Sequence, residues 1–227
     1  MRVSIQTERQ ELVSNSRRTV GGAVLALALG VVPLQALCQE PKGQQRAFKA
    51  AREKVMNRGS APIAFLNELT DWGKSSSEEI FAINGKVDIY SRVSRELGPW
   101  NGPRHRRAVM LEVLRVLGGF ESSWNWKAGV DVTNPNSNTP CTEEAGIFQC
   151  SADSIHFSPS LRALVVRAGG DDNCDNFRRV TKENHVFAME YCARLLRETV
   201  MHHGPVRDRH INSWLRRAAV EEFMSYL

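Results

Sequence analysis

One apolar stripe constrains the fold of this chain more than any other feature. The stripe lies in the segment 103–117, where apolar residues recur at spacings of three and four: Met110, Val113, Leu114 and Leu117. This spacing places them on one face of a helix that packs into a core. Glu121 continues the series, so a helix that runs through Gly118 and Gly119 turns this carboxyl toward the apolar side.

The position of Glu121 leaves two interpretations open. If the helix continues to this residue, the carboxyl is partly buried and harder to ionise, which suits a general acid at neutral pH. If the two glycines end the helix, Glu121 is a solvated residue on the following turn. Spacing alone favours neither interpretation.

A second motif, Gly146-Ile147-Phe148-Gln149, follows a long polar loop that is rich in Asn and Pro. Glu-Ser at the end of a helix, an aromatic residue and Asn just after it, and this later Gly-x-x-Gln turn together resemble the lysozyme-like superfamily. The nearest resemblance is to soluble lytic transglycosylases and goose-type lysozymes. It implies a mainly α fold, a lysozyme-like helical domain with a small loop or hairpin at the cleft.

The resemblance also implies roles for individual residues and requires no cofactor. Glu121 matches the catalytic acid, and Tyr191 is the best match to a Tyr that approaches this acid from a later helix. The residues expected to bind substrate are Ser122, Trp126, Gly146, Phe148, Gln149 and Tyr191. The connection between the two motifs is longer than in bacterial transglycosylases, so the subsites are expected to differ.

The mechanism depends on whether a second carboxylate takes part. A lysozyme-type hydrolase needs one, as a nucleophile or as a base for water, and Asp131, Glu143 and Glu144 are the candidates. Asp131 and Glu144 can equally be solvated loop residues or cap a following turn. In the resembled transglycosylases a single Glu protonates the glycosidic oxygen and then acts as a base while the C6 hydroxyl of the sugar closes an anhydro ring. The sequence leaves this choice open.

Trp124 and Trp126 flank the candidate acid and admit two uses. Indole planes pack well on the C–H faces of sugars, but a Trp is more often part of the core. We expect Trp124 and Trp126 to divide between these roles, with one in the core and the other, Trp126, in the cleft.

The N-terminal residues have the pattern of an export signal. Arg17 and Arg18 precede an uncharged run from Thr19 to Gln39, which predicts a signal peptide over residues 1–38 and a single catalytic domain over 39–227. Export by the Sec route or by a twin-arginine signal predicts a periplasmic or secreted protein with no stable membrane partner after cleavage. An uncleaved membrane anchor is the alternative.

Four cysteines follow the predicted signal: Cys141, Cys150, Cys174 and Cys192. In an exported chain they predict two disulfides with three possible pairings, and free buried thiols are the alternative. A metal hydrolase built on His202, His203, Asp208 and His210 is disfavoured, because their spacing matches no helical ligand pattern, and we predict no metal.

The expected function is cleavage of the β-1,4 bond between N-acetylmuramic acid and N-acetylglucosamine in peptidoglycan. The net charge of +5 suits an anionic cell wall but lacks the clustered basic stripe of a nucleic-acid binder. A non-catalytic glycan-binding protein with the same cleft, or a chitin-type glycosidase acting on a related N-acetylglucosamine polymer, are the alternatives. Protein partners are not predicted.

Overall fold

The computed structural model describes residues 46–83, 85, 87–130, 135–169 and 173–227. The predicted signal peptide and Asp131 lie outside these residues. Within them the chain is mainly helical, which confirms the predicted class, and none of the described helices is long and apolar enough to cross a membrane.

The elements occur in the following order. The helices are α1 (Ile63–Ser75), α2 (Ile89–Arg92), α3 (Ser94–Leu97), α4 (Gly102–Ser122), α5 (Pro159–Arg167), α6 (Cys174–Glu183), α7 (His185–Glu198), α8 (Gly204–Arg207) and α9 (Arg217–Tyr226). Two short strands, β1 (Glu144–Ala145) and β2 (Cys150–Ser151), lie between α4 and α5. Single turns of 3₁₀ helix occupy Ala50–Arg52, Glu78–Phe81, Ala152–Phe157 and His210–Trp214.

Helix α4 is the central element of the core. It packs against α1, α7 and α9, and the predicted apolar stripe is fully buried: Met110, Val113, Leu114 and Leu117. Pro103 stands in its first turn, where a missing N–H costs no hydrogen bond. The stripe therefore predicted both the helix and the face that it buries.

The helix continues through Gly118 and Gly119 because Trp124 folds back over them. A Cβ on Gly119 would lie only 2.8 Å from the indole, and the indole N–H of Trp124 donates to the carbonyl of Arg115 at 2.8 Å. Two residues without side chains leave room for this ring. Glu121 therefore lies on a helix that reaches Ser122, the geometry on which the first interpretation depends.

The apolar periodicity of the sequence also predicts helices over 45–58, 181–203 and 212–227, and these three differ from the observed elements. The one expected over 45–58 is reduced to the turn Ala50–Arg52. The C-terminal one, expected from Asn212, begins at Arg217 after a 3₁₀ turn. The long one expected over 181–203 is interrupted at Asn184, whose side chain accepts a hydrogen bond from the Phe187 N–H and caps α7.

The hairpin and one disulfide hold the segment between α4 and α6. The two strands are antiparallel, with Glu144 opposite Ser151 and Ala145 opposite Cys150. Cys141 is bonded to Cys174 at the start of α6, whereas Cys150 and Cys192 are free and buried. Of the two expected disulfides one is therefore present, and the alternative of buried thiols applies to the other pair.

A buried ion pair in α4 was not predicted. Both side chains of Glu112 and Arg115 are completely buried, with the guanidinium bonded to the two carboxylate oxygens at 2.6 and 2.7 Å. The backbone N–H of Arg216 also donates to Glu112, at 2.8 Å. The pair joins the central helix to the segment that enters α9.

Candidate active site

Glu121 lies in the last turn of α4, at the boundary between core and solvent. Its side chain is 17% exposed, and its Oε1 lies 3.4 Å from Nδ1 of His203. A carboxyl in this position has one oxygen directed at an imidazole and is still reached by solvent. Such an arrangement can exchange a proton with a bound molecule.

Ser122 connects this helix end to the second motif. Its hydroxyl donates to the carbonyl of Ile147 at 2.8 Å and accepts a hydrogen bond from the Asn125 N–H at 3.0 Å. The two sequence motifs are therefore adjacent in space. Ser122, expected to bind substrate, is engaged in holding them together.

The Gly146–Gln149 segment is a tight turn packed on α6. Gly146 has φ of +73°, and a Cβ there would lie 2.9 Å from the side chain of Thr181. The side-chain amide of Gln149 donates back to the Gly146 carbonyl at 2.9 Å. Gln149 is 6% exposed and Phe148 is fully buried, so packing and turn closure are the roles that these positions support.

Trp126 is half-buried beside this turn, and Trp124 belongs to the core. The indole of Trp126 stacks on the ring of His185 with 3.8 Å between centroids and 7° between planes. It also meets Phe65 and, edge-on, Phe148. His185 covers one face of the indole, so this Trp is held in a fixed orientation near the motif.

Tyr191 lies in the core of the described structure. It is completely buried, and its hydroxyl shares a hydrogen bond with Ser154 at 2.7 Å. The ring packs edge-on against Phe177. Among the described residues His203 lies close to the candidate acid, and the role expected for Tyr191 beside Glu121 stays a prediction.

Glu144 lies on β1 and lines a cavity of about 330 Å³. The cavity is lined by Asn136, Thr142, Glu144, Ser151, Asp153, His202, Gly204 and Arg207. Asp153 is a carboxylate that sequence reasoning missed; it accepts a hydrogen bond from the Ser151 hydroxyl at 2.5 Å. Glu143, next to Glu144, forms an ion pair with Arg178 instead.

A larger cavity, of about 440 Å³, lies at the opposite end of α4. It is lined by Lys74, Glu78, Pro103, Arg104, Arg107 and Leu227. Glu121 is remote from it, since Pro103 and Glu121 stand in the first and last turns of the same helix. Glu121 is not among the residues that line the smaller cavity either; the link between them is His202, which lines that cavity and contacts the ring of His203.

His203 lies between Glu121 and two thiols. While Nδ1 faces the carboxyl, Nε2 lies 3.9 Å from Cys150 Sγ and 3.7 Å from Cys192 Sγ. The two cysteines and His203 are all buried. Sequence reasoning missed this cluster because its members lie 53 and 11 residues apart along the chain.

The cluster shifts the pKa of each of its members. A hydrogen bond with Cys192 and the nearby His203 lower the pKa of Cys150 to about 6, although burial acts in the opposite direction. Burial, together with the Cys150 sulfur, raises the pKa of Cys192 well above its ordinary value. Burial alone would lower the pKa of His203, but its hydrogen bonds to Cys150 and Glu121 raise it to about 10.

His202 completes the surroundings of the cluster. Its ring meets that of His203 edge-on, with 4.7 Å between centroids, and it lines the cavity that contains Glu144. Burial, together with the nearby His203, lowers the pKa of His202 to about 3, so this ring is neutral. Its Nε2 is buried and, within the described part of the chain, has no hydrogen-bond partner.

Comparisons of the chain with protein-family models, with curated proteins and with solved structures found no match in any of the three. Function is therefore inferred from the residues and their geometry.

Proposed function

We propose that this chain cleaves the β-1,4 bond between N-acetylmuramic acid and N-acetylglucosamine in peptidoglycan, with Glu121 as general acid and base. One observation above all supports the proposal. The half-buried Glu121 carboxyl lies at the end of α4, and the neighbouring Ser122 bonds this helix end to the Gly146–Gln149 turn. This is the pairing of motifs on which the resemblance to soluble lytic transglycosylases depends.

The reaction assigns two tasks to Glu121. It first protonates the glycosidic oxygen that leaves, and it then accepts a proton from the group that attacks the sugar. The contact of Oε1 with His203 Nδ1 fixes the orientation of the carboxyl and leaves Oε2 for the substrate.

The attacking group is either the sugar's own C6 hydroxyl or a water molecule. The first case is lytic transglycosylation and needs no second carboxylate. The second is hydrolysis and needs one; among the described residues Glu144 and Asp153 are the carboxylates that line the adjoining cavity with His202. A secreted or periplasmic location, which gives access to peptidoglycan, is part of the proposal.

The variant Glu121→Gln tests the role of the carboxyl. It keeps the shape and hydrogen-bonding capacity of the side chain but removes proton transfer, so release of muropeptides from purified peptidoglycan should fall by at least about 10²-fold. Glu221→Gln, an exposed position on α9, is the matched control and should act like the wild type. Undiminished activity of Glu121→Gln, with unchanged circular dichroism, would remove Glu121 from the mechanism.

Mass spectrometry of the products decides between the two reactions. Anhydro-muramic ends identify a transglycosylase, and reducing ends identify a hydrolase and lead to Glu144→Gln and Asp153→Asn. If the wild type releases nothing from peptidoglycan or from chitin oligomers but sediments with sacculi, the chain is a glycan-binding protein and the proposed reaction is wrong.

A further inference from the structure

We propose that Cys150, Cys192, His203 and His202 form a binding site for a divalent transition metal ion, with zinc as the ion that fits their chemistry best. The two thiols and the two imidazoles come from β2, from α7 and from the segment before α8. This site differs from the proposed active site in its ligand, which is a metal ion and not a sugar.

The donor atoms have the spacing that a tetrahedral ion requires. Zinc bound at about 2.3 Å from sulfur and about 2.0–2.1 Å from nitrogen separates an S and an N ligand by roughly 3.6 Å. His203 Nε2 lies 3.7 Å from Cys192 Sγ and 3.9 Å from Cys150 Sγ. These two distances therefore need to change by only a few tenths of an ångström when the ion binds.

Glu121 orients His203 in the way expected of a metal ligand. A ligating imidazole normally donates its other ring N–H to a carboxylate or carbonyl, which fixes the ring and selects the nitrogen that faces the metal. Here Nδ1 faces Glu121 at 3.4 Å, so Nε2 points at the two sulfurs. Glu121 thus lies in the second shell of this site, whether or not it also acts on a sugar.

His202 supplies a fourth donor. Ligand atoms of Cys150, His202 and His203 all lie within 4.8 Å of one another; Cys192 is not part of this group, so binding by all four residues requires the Cys192 and His202 side chains to move closer together. His202 Nε2 is buried and has no hydrogen-bond partner among the described residues, an arrangement that costs free energy unless a ligand satisfies it. His202 also lines the 330 Å³ cavity, so one side chain of the proposed site faces that cavity.

The donor set selects the kind of ion. Two thiolates and two imidazoles match the Cys₂His₂ sets that bind zinc, whereas magnesium and calcium prefer oxygen ligands. Two thiolates also neutralise the charge of the ion, as a buried site requires. None of the described carboxylates provides a comparable oxygen cage around these atoms.

Two other uses of the same residues fit less well. Cys150, His203 and Glu121 have the connectivity of a nucleophile, its base and an orienting acid, but Cys150 is 1% exposed and no substrate reaches its sulfur. A second disulfide between Cys150 and Cys192 would leave both His203 Nε2 and His202 Nε2 without a partner in a buried place. A metal ion satisfies all four groups.

The test is metal binding by the full chain, purified with a thiol-free reductant and without chelator. After zinc loading and removal of free metal, elemental mass spectrometry should find about one zinc ion per chain. Cobalt(II) substitution should add thiolate charge-transfer bands near the ultraviolet and d–d bands in the visible range, which report tetrahedral sulfur ligation without any mutation.

Variants locate the site. Cys150→Ser and Cys192→Ser should each abolish stoichiometric binding and the thiolate bands, and His202→Asn should weaken it. Glu121→Gln, which removes only the second-shell carboxylate, should lower zinc affinity by about 10- to 100-fold. His210→Asn, an exposed histidine of the same C-terminal segment, is the control and should bind zinc as the wild type does.

Failure to retain zinc or to show cobalt–thiolate bands under these reducing conditions would overturn the proposal. So would stoichiometric zinc in a Cys150→Ser/Cys192→Ser double variant, since the ion would then lie elsewhere. No substrate is used in any of these measurements, so their outcome is independent of whether the chain cleaves peptidoglycan.

Discussion

At the scale of single residues, Gly146 shows how one missing side chain shapes the candidate site. The left-handed φ of +73° and the approach of Thr181 within 2.9 Å both exclude a Cβ. Gly146→Ala should therefore lower the free energy of unfolding by roughly 1–3 kcal/mol, through backbone strain and overpacking together. Urea denaturation followed by circular dichroism measures the loss.

Gly59→Ala separates these two contributions. Gly59 also has a positive φ, +85°, but a Cβ there meets nothing within 4 Å. Only the backbone strain should remain, about 1 kcal/mol. Equal losses for Gly59→Ala and Gly146→Ala would show that the contact with Thr181 contributes nothing.

At the scale of elements, the Glu112–Arg115 pair ties α4 to the segment before α9. Glu112→Gln leaves the guanidinium of Arg115 completely buried without its counter-charge, so the free energy of unfolding should fall by about 3–5 kcal/mol. Glu183→Gln removes an exposed partner of Arg179 at a similar spacing on α6 and should cost less than about 1 kcal/mol. Chemical denaturation of both variants gives the comparison, and equal losses would mean that burial of the pair has no energetic consequence.

Local signals decided which elements could be predicted from the sequence. The apolar stripe of α4 gave a correct helix because its members are three and four residues apart and need no distant partner. The break at Asn184 was missed because apolar residues continue on both sides of it, and only the hydrogen bond to Phe187 marks the cap. The pair Ser158-Pro159, in contrast, is typical of a helix start, and α5 does begin at Pro159 with Ser158 as its cap.

The residues of the candidate site were likewise predicted only where a signal in the sequence marked them. The position of Glu121 at the end of α4 followed from the apolar stripe, and the resemblance pointed to the Gly146–Gln149 turn that Ser122 contacts. His203 could not be assigned, since its ligand-like contacts with Cys150 and Cys192 depend on how α7 and the hairpin pack. The sequence contains no close cysteine pair to suggest them.

At the scale of the whole molecule, the Cys141–Cys174 disulfide closes a loop across 33 positions that holds the hairpin and α5. Replacing both cysteines by Ser should lower the free energy of unfolding by roughly 3–4 kcal/mol, mainly through the greater entropy of the open unfolded chain. Denaturation of the wild type with and without reductant should give a loss of the same size. Identical stability of the double variant and the oxidised wild type would contradict this contribution.

The burial of Cys150 and Cys192 around His203 also bears on how the chain acquires its correct disulfide. Four free thiols in an oxidising compartment can pair in three ways, and two of these ways join Cys141 or Cys174 to the wrong partner. A zinc ion held by Cys150 and Cys192 would act as a protecting group, because coordinated thiolates are removed from exchange. Only Cys141 and Cys174 would then remain for the oxidant, so the ion would direct the formation of the Cys141–Cys174 disulfide.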